Sequence, residues 1–364
     1  MSSQYACKDL LGKNVAGWFV INEIDNSSFK HEGWLSFTVE KGARKGFMKV
    51  LDFEYCHNKQ LPVGEKRSEF IERMTSTFNY EEKIAAICAG SHMANVIHYL
   101  DSGEVEFSGY FIGTVSFIVF ESSEGNIKSY LDFSPKVDEA SSLKVLIEKL
   151  KAIHQVACGV KQLHSKSIAY HNLTPDNIEV FENSSLFKLS NLHHTRSQIP
   201  DIPSPESYTL FNGDWTFAPP EAFFPYRLQK KEESYYQIDT FMLGNLLVYY
   251  LTSLNLTGLI SYNLLPNSLK DWASQGATFE EVLPDIVNAY HKSLSSIKYQ
   301  IVLEEIREPL INLIGYLCYP DPAKRGHPGN FKENMSNSDL QRVITKLNVI
   351  YSDACTALSR YNGK

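Results

Sequence analysis

Residues 164–193 read HSKSIAYHNLTPDNIEVFENSSLFKLSNLH, and this stretch decides how the rest of the chain is interpreted. The pattern predicts that a helix ends at Leu163 and His164 and that a loop follows it. Two short apolar strands come next, one at Ile178–Phe181 and one at Phe187–Leu189. The sequence therefore predicts a polar loop between a long helix and a pair of short strands.

The whole chain has the composition of a globular protein. It has 364 residues, of which 43% are hydrophobic and 21% are charged, which is enough for one large two-lobed domain or two ordinary ones. The net charge is −7, with no run of lysine and arginine. Nucleic acid is therefore not an expected partner.

The N-terminal segment, MSSQYACKDLLGK, lacks the apolar stretch of a signal peptide. The most apolar window, residues 110–120, is too short to span a bilayer, so no membrane association is expected. The six cysteines are scattered and form no C-x-x-C pair. This favours free thiols and a cytoplasmic location.

The loop at 170–177 resembles the catalytic loop of protein kinases, usually H-R-D-L-K-P-x-N. Residues 188–193 resemble the K-x-x-D-F-G turn that follows that loop in the family. The chemistry differs at both motifs. The family's His-Arg-Asp corresponds to Tyr170, His171 and Asn172, and its Asp-Phe-Gly corresponds to Asn191, Leu192 and His193. Both carboxylates of an active kinase are therefore amides in this chain.

The resemblance implies a role for each position in the loop. Asn172 replaces the aspartate that accepts the substrate proton, and Thr174 replaces a lysine that stabilises the transferred phosphoryl group. Asn191 replaces the metal-binding aspartate, whereas Asn177 matches the family's metal-binding asparagine. Two amides supply no charge, so a metal site at Asn177 and Asn191 would be weak or lost. Asn177 is also expected to hydrogen-bond the loop itself.

Tyr170 is expected to pack and hold the loop, as the family's histidine does. His171 replaces an arginine that grips a phosphorylated activation segment, and it lacks the arginine fork. Acidic substitutions in that segment should then leave the conformation unchanged. The sites considered are Thr195, Ser197, Ser207 and Thr209.

The N-terminal part resembles a kinase small lobe. Its strands are predicted at residues 17–25, 34–40, 46–53, 96–100 and 110–120. The loop at 26–33 contains only Gly33, where the family has a glycine-rich phosphate loop. A solvated hairpin is an equally good interpretation of that loop.

Lys49, in F-M-K-V, matches the lysine that contacts ATP phosphates in the family. An ammonium among apolar residues needs a partner; Glu82 is predicted on a helix at 78–89, with Glu81 as the alternative. A purely structural ion pair is the competing interpretation. Glu121 and Ser123 lie in a segment that resembles the hinge, whose backbone groups would contact adenine.

Three features in the C-terminal part resemble structural elements of the family. Residues 213–221, GDWTFAPPE, resemble the closing motif of the activation segment, and Glu221 should pair with Arg325 of D-P-x-x-R. Asp239 should brace the backbone of the catalytic loop. Helices are predicted at 126–133 and 141–164, and a last one follows a cap at Asn337 or Ser338.

The resemblance implies an α+β, bilobal kinase-like fold with a small antiparallel-sheet N-lobe (14–121), a mainly helical C-lobe (122–327) and a C-terminal extension (328–364). The implied function is that of a pseudokinase, of bacterial type, that regulates or scaffolds protein partners and retains metal-independent ATP binding at most. One alternative is an active, divergent Ser/Thr protein kinase that holds Mg²⁺ through Asn177 and Asp176. Another is a small-molecule phosphotransferase, against which the A-P-P-E segment argues.

Overall fold

A computed structural model describes residues 8–24, 33–107, 112–130, 139–205, 211–224, 233–301 and 303–362. The chain is an α+β protein with an antiparallel sheet on its N-terminal side and a helical C-terminal part. Residues 26–32 of the predicted phosphate loop, Ser207, Thr209 and Cys7 lie outside the described residues.

The N-terminal sheet has six strands in the order β1-β2-β3-β4-β6-β5, and every neighbouring pair is antiparallel. The strands are β1 Asn14–Val15, β2 Trp18–Glu23, β3 Trp34–Lys41, β4 Arg44–Leu51, β5 Tyr99–Glu106 and β6 Thr114–Glu121. The strand predicted at 46–53 ends two residues early. Asp52 accepts a hydrogen bond of 3.0 Å from the Tyr55 backbone N–H and so starts helix α1, Phe53–Asn58.

One face of this sheet carries the N-terminal apolar core. Its buried members are Leu10, Val15, Trp18, Val20, Leu35, Phe37, Val39, Met48, Val50, Val115, Phe117 and Val119. In the register of the sheet, Lys49 lies opposite Ser36 and Ile118. Because side chains alternate along a strand, Lys49 points to the face opposite to that core. Helix α2, Arg67–Gly90, supplies the partner of Lys49 on this second face.

The C-terminal part is built mainly from helices. They are α3 Ile127–Tyr130, α4 Glu139–His164, α5 Glu233–Thr252, α6 Leu256–Asn263, α7 Leu269–Ser274, α8 Phe279–Lys298, α9 Glu304–Leu317, α10 Pro328–Lys332 and α11 Gln341–Asn362. Four short strands form two pairs. They are β7 Ile168–Ala169 with β10 Arg196–Ser197, and β8 Ile178–Phe181 with β9 Leu186–Leu189. The predicted loop thus lies between α4 and the β8–β9 pair.

The last helix packs along α4, as expected of a helix docked on this part of the chain. Its predicted cap is wrong. The Asp339 carboxylate, rather than Asn337 or Ser338, accepts the hydrogen bond from the Gln341 backbone N–H, at 2.7 Å. Helix α11 therefore begins two or three residues later than the polar run suggests, because the acceptor that reaches its first N–H group is Asp339.

The described chain divides into two compact units. The N-terminal unit runs to Glu124 and also includes 191–193 and 204–205; the C-terminal unit contains the rest. In the described part, no single helix is long and apolar enough to cross a bilayer, and the stretches Tyr235–Thr252 and Leu256–Asn263 meet that test only as a pair bent by 89°. The five described cysteines are free thiols.

Candidate functional site

The centre of the N-terminal unit's polar site is the ammonium group of Lys49. It donates to both carboxylate oxygens of Glu81, at 3.0 and 3.1 Å, and to the amide oxygen of Asn191, at 3.0 Å. Lys49 is only 3% exposed and Glu81 is fully buried. An ammonium group has three N–H donors. The surrounding protein therefore supplies as many acceptors as Lys49 can use.

Glu81 rather than Glu82 is the partner of Lys49, which corrects the first choice made from the sequence. Glu82 instead accepts a hydrogen bond of 2.5 Å from the Ser102 hydroxyl. Helix α2 begins at Arg67, eleven residues before the predicted start at 78. The buried positions Phe70, Met74, Phe78 and Ala85 define its inner face. At helical spacing Glu81 lies on that face, whereas Glu82 is turned about 100° away from it.

Two aromatic rings cover the lysine. The Lys49 ammonium lies 5.2 Å from the centroid of the Trp34 ring and 5.9 Å from that of Phe120. Both aromatic residues are buried. A cation over an aromatic face is stabilised by the ring quadrupole, most strongly by tryptophan. The rings therefore cover the ammonium group and interact favourably with it.

His193 completes this cluster beside Glu81. Its Nδ1 lies 3.6 Å from Glu81 Oε1, and its ring meets Trp34 edge-on, with ring centroids 4.8 Å apart. Burial alone raises the pKa of the Glu81 carboxyl, but the adjacent Lys49 and His193 outweigh burial and lower that pKa to about 2. Glu81 is therefore ionised at neutral pH and forms an internal ion pair with Lys49.

Asn191 occupies a left-handed backbone position, with φ of +51°. Asparagine tolerates this conformation better than most residues. Its amide oxygen is directed at Lys49. In the described part of the chain, no group of three or more His, Cys, Asp and Glu side chains is arranged to hold a metal ion.

In the C-terminal unit, Asp239 organises the loop that follows β7. Its fully buried carboxylate accepts hydrogen bonds from the backbone N–H groups of Tyr170, at 2.6 Å, and His171, at 2.7 Å. The ring of His164 contacts the same carboxylate at 2.8 Å. The Tyr170 hydroxyl donates to the Ser190 carbonyl at 2.5 Å. Asp239 and Tyr170 thus have the structural roles that the sequence analysis gave them.

Asn177 ties the two ends of this loop together. Its side-chain NH₂ group donates to the Asn172 carbonyl at 3.0 Å and to the Thr174 hydroxyl at 2.9 Å. These bonds fix the backbone between Asn172 and Thr174, two positions to which the resemblance gives a catalytic role. Asp176, in contrast, forms a partly exposed ion pair of 3.1 Å with Lys128. Asn177 therefore has a structural reason to be present that requires no metal.

His171 is held as a neutral residue. It is buried, and its Nε2 lies 3.1 Å from the Tyr235 carbonyl. Burial lowers the pKa of His171 to about 4, despite the opposing effect of Asp239. A neutral, enclosed imidazole cannot act as a cationic grip for a phosphate.

Thr195 is fully buried, which corrects one expectation for the activation segment. A carboxylate introduced at this position would be desolvated, so an acidic substitution there cannot be neutral. Ser197 is only half-buried and remains suitable for that substitution.

Glu221 and Arg325 form the predicted two-pronged ion pair, at 2.6 and 2.8 Å. The guanidinium makes five hydrogen bonds in all, the others going to the carbonyls of Tyr319, Gln237 and Pro320. Five is the full donor capacity of arginine. The pair fixes the end of the GDWTFAPPE segment to the helical part.

The start of that segment approaches the loop closely. A Cβ atom on Gly213 would lie 1.9 Å from the His171 carbonyl oxygen, so this position admits no side chain without movement. Further along, Asn245 and Thr257 donate to the carbonyls of Phe217 and Ala218, at 3.2 and 2.8 Å. The segment is thus held at its end and in its middle, and its start lies closely against the loop.

The remaining predicted ligand-binding positions lie in the N-terminal unit. Glu121 is anchored to His98, whose backbone N–H donates to its carboxylate at 2.7 Å and whose carbonyl accepts from its backbone N–H at 2.9 Å. Ser123 is half-buried in the connection after β6. Gly33 has φ of +92°, so its backbone conformation alone accounts for glycine.

No model of a known protein family matches the chain, and no curated protein matches it at a significant level. The resemblance to protein kinases therefore rests on the residues and contacts described above.

Proposed function

We propose that this chain has the protein-kinase fold and is a pseudokinase, a regulatory or scaffolding protein without phosphotransfer activity. One observation carries the proposal. The resemblance assigns Lys49 to the phosphates of ATP. Its ammonium group instead donates three hydrogen bonds to Glu81 and Asn191, and it lies close to the rings of Trp34 and Phe120. A phosphate would have to displace at least one of these internal acceptors to reach it.

The architecture supports the kinase-fold part of the proposal. An antiparallel sheet is followed by a helical part, and the ion pair between β4 and α2 is the one that the resemblance implies. The loop at 170–177, braced by Asp239, and the segment ending at Glu221 fit the same resemblance. These features stabilise structure without taking part in chemistry.

The side chains support the loss of activity. Asn172 has no basicity at neutral pH, and the loss of a positioned general base typically costs ~10²–10⁴-fold in rate. The Asn191 amide oxygen is engaged by Lys49. The chain thus lacks the general base at position 172 and the metal-binding carboxylate at position 191. Both would act on the same reaction, so their absence reduces phosphotransfer more than either change alone.

The alternative of an active, divergent kinase needs another carboxylate as a metal ligand. Asp176 is the residue that the sequence offers for this role. Its carboxylate pairs with Lys128 at 3.1 Å, and both side chains are substantially exposed. The contact gives Asp176 the role of a surface charge, which disfavours this alternative.

The test is transfer of a labelled γ-phosphate from ATP to the protein itself and to casein, with Mg²⁺ or Mn²⁺. We expect incorporation at the level of a blank without enzyme. Lys49→Ala and the matched variant Lys45→Ala, at an exposed position of the same strand, are assayed in parallel. Transfer that survives Lys45→Ala and disappears in Lys49→Ala would overturn the proposal and establish an active kinase.

A further inference from the structure

Trp34 is the first residue of β3, and its indole lies on the same face of the sheet as Lys49. Trp34 is paired with Leu51 of β4, which is two positions from Lys49 along that strand. Side chains two positions apart in a strand point to the same face. The Lys49 ammonium accordingly lies 5.2 Å from the centroid of the indole ring. The ring therefore occupies space beside the group that the resemblance assigns to ATP phosphates.

The second ring, that of Phe120, covers the ammonium from a different direction. Phe120 of β6 is paired with Phe47 of β4 on one side and with Tyr99 of β5 on the other. Among the described strands, only β4 lies beside Trp34, because the register of β2 with β3 ends at Phe37. Trp34 is 7% exposed, compared with 2% for Phe120. Trp34 is thus the ring at the border of the sheet, where the predicted phosphate loop ends.

Three contacts hold Trp34 at this border. The carbonyl of the preceding Gly33 accepts a hydrogen bond of 2.9 Å from the Asp52 backbone N–H. A Cβ atom on Gly33 would lie 2.5 Å from Met74 Cε, so the backbone here lies closely against α2. The His193 ring meets the indole edge-on, with ring centroids 4.8 Å apart. A ligand that approaches the ammonium from this side would therefore have to displace a packed side chain.

We infer that Trp34 is the residue that keeps the phosphates of a nucleoside triphosphate away from Lys49, and that a smaller residue at position 34 opens the site to them. The inference rests on the proposed function, to which it adds the feature that decides nucleotide access. Asn172 affects the transfer step, whereas Trp34 affects binding. The two residues therefore have separable effects.

The contacts of Lys49 explain why an opened site would favour a phosphate. Two hydrogen bonds of the ammonium go to Glu81 and one goes to Asn191. The Asn191 oxygen is neutral, so a phosphate oxygen that replaces it forms a charge-assisted hydrogen bond instead. The Glu81 carboxylate repels the phosphate, which makes the gain moderate. Space is available because the surroundings of a truncated core side chain fill the resulting cavity only in part.

The first experiment measures ATP binding in the presence of EDTA by isothermal calorimetry for the parent, Trp34→Val and Trp18→Val. Trp18 is the matched control, since it is a buried tryptophan in the apolar core on the other face of the same sheet. Trp34→Val should bind ATP at least about tenfold more tightly than the parent, whereas Trp18→Val should bind as the parent does. Equal affinities of Trp34→Val and the parent, or an equal gain in Trp18→Val, overturn the inference.

The second experiment identifies which part of the nucleotide gains. Trp34→Val should leave the affinity for adenosine unchanged, since adenosine carries no phosphate. Trp34→Val/Lys49→Met should lose the gain in ATP affinity, whereas Trp34→Val/Lys45→Met, changed at an exposed position of the same strand, should keep it. Adenosine binding that rises as much as ATP binding, or a gain that survives Lys49→Met, contradicts the role assigned to Trp34.

A third measurement uses the unmodified sequence, so it does not depend on the folding of a valine variant. The four tryptophans are labelled as 5-fluorotryptophan for fluorine NMR, and the Trp34 resonance is assigned by its loss in Trp34→Phe. ATP should shift the Trp34 resonance more than that of Trp215, which lies in the C-terminal unit. Refutation of the role of Trp34 would leave the pseudokinase proposal intact, because phosphotransfer rather than binding tests that proposal. Saturable ATP binding that leaves the Trp34 resonance unchanged would be such a refutation.

Discussion

At the scale of single residues, the contacts of Lys49 are those of a structural residue. A buried ammonium group is tolerated only with acceptors that replace water. Glu81 and Asn191 provide those acceptors within the same unit of the chain. The amide at position 191 matters here, because a carboxylate in its place would give the cluster two negative groups around one cation. Asn191 satisfies a donor of Lys49 without adding charge.

Replacing Lys49 by methionine should destabilise the protein by about 3–5 kcal/mol, because it leaves Glu81 as a buried charge without its main partner. The double variant Lys49→Met/Glu81→Leu should recover most of that loss, since it removes both charges. Urea denaturation of the four proteins in the cycle measures the coupling. The matched control is Lys66→Met, whose ion pair with Glu69 is exposed; it should change stability by less than about 1 kcal/mol. If Lys49→Met and Lys66→Met changed the free energy of unfolding equally, the structural role of Lys49 would be contradicted.

His171 predicts how stability depends on pH. Its pKa is about 4 in the folded chain and 6.5 ordinarily, so below pH 6.5 the unfolded chain binds the proton more readily. The contribution of neutral His171 to the free energy of unfolding is therefore fully present above about pH 6.5 and is lost as the pH falls towards 4. Between about pH 7.5 and about pH 5 this residue should account for a loss of about 2 kcal/mol.

Denaturation at the two pH values should show that loss in the parent protein and its absence in His171→Asn. Asparagine is chosen because residue 171 has φ of +60°. His92 offers a matched control, since it is exposed and has a similar φ of +51°. His92→Asn should keep the full pH dependence. An unchanged slope in His171→Asn would show that position 171 does not contribute.

At the scale of elements, local patterns predicted much of the fold. The strand at Ile178–Phe181 has the bounds that its apolar run indicates, and α4 starts only two residues before the predicted position 141. Errors arose where one polar side chain decides an element's end. Asp52 stops β4 and starts α1, and Asp339 rather than Asn337 or Ser338 meets the first N–H of α11. Hydrophobic periodicity carries no information about such single hydrogen bonds.

The candidate site was predicted unevenly for a related reason. Lys49, Asp239, Glu221 and Arg325 were found through motifs that fix their positions. Glu81 was placed second because the predicted helix omitted its first eleven residues, and with them three buried residues, Phe70, Met74 and Thr77. The cover of Lys49 by Trp34 depends on the register in which β3 pairs with β4, because the two residues are fifteen positions apart in the chain. Such contacts cannot be read from local sequence.

The ion pair of Arg325 gives a prediction for the element that ends at Glu221. Arg325→Ala should cost about 3–5 kcal/mol, because a fully buried carboxylate loses its counter-charge. Arg325→Lys should recover only part of this, since an ammonium cannot reproduce five hydrogen bonds. Lys324→Ala, at the exposed neighbouring position, serves as the control. The stabilities of the three variants are compared through their urea midpoints, provided that the dependence of the unfolding free energy on urea concentration is unchanged. An Arg325→Ala midpoint equal to that of the parent would refute the prediction.

At the scale of the whole molecule, the contrast lies between the contacts that hold structure and those that perform chemistry. Asp239, Arg325 and Asn177 each use their polar atoms to fix backbone segments of the C-terminal unit. In the N-terminal unit, the Asn191 amide accepts the remaining hydrogen bond of the Lys49–Glu81 ion pair. The residues implied for substrate chemistry, Asn172 and Thr174, are buried and lack charge. This distribution is the one expected of the proposed pseudokinase.

Nucleotide binding tests this view of the whole chain. We expect the thermal shifts with ATP, ATP plus EDTA and ATP plus Mg²⁺ to be equal. Asn191 has no carboxylate that would repel bare ATP, so metal is not needed to neutralise a repulsion. The shifts should also be small, because phosphates compete with Glu81 and Asn191 for Lys49; full occupancy at a hundredfold excess over Kd would add about 2.7 kcal/mol.

Two variants test whether a thermal shift caused by ATP arises at the Lys49 cluster. Lys49→Met should remove a metal-independent shift, whereas Lys45→Met, at an exposed site of the same strand, should leave it intact. Each variant is compared with its own melting temperature without ligand, because Lys49→Met lowers stability for the reason given above. A shift that requires Mg²⁺ and disappears in Asn177→Ala would instead identify a working metal site. In that case the hydrogen bonds of Asn177 to Asn172 and Thr174 would hold a catalytic loop in position, and the chain would be a divergent kinase.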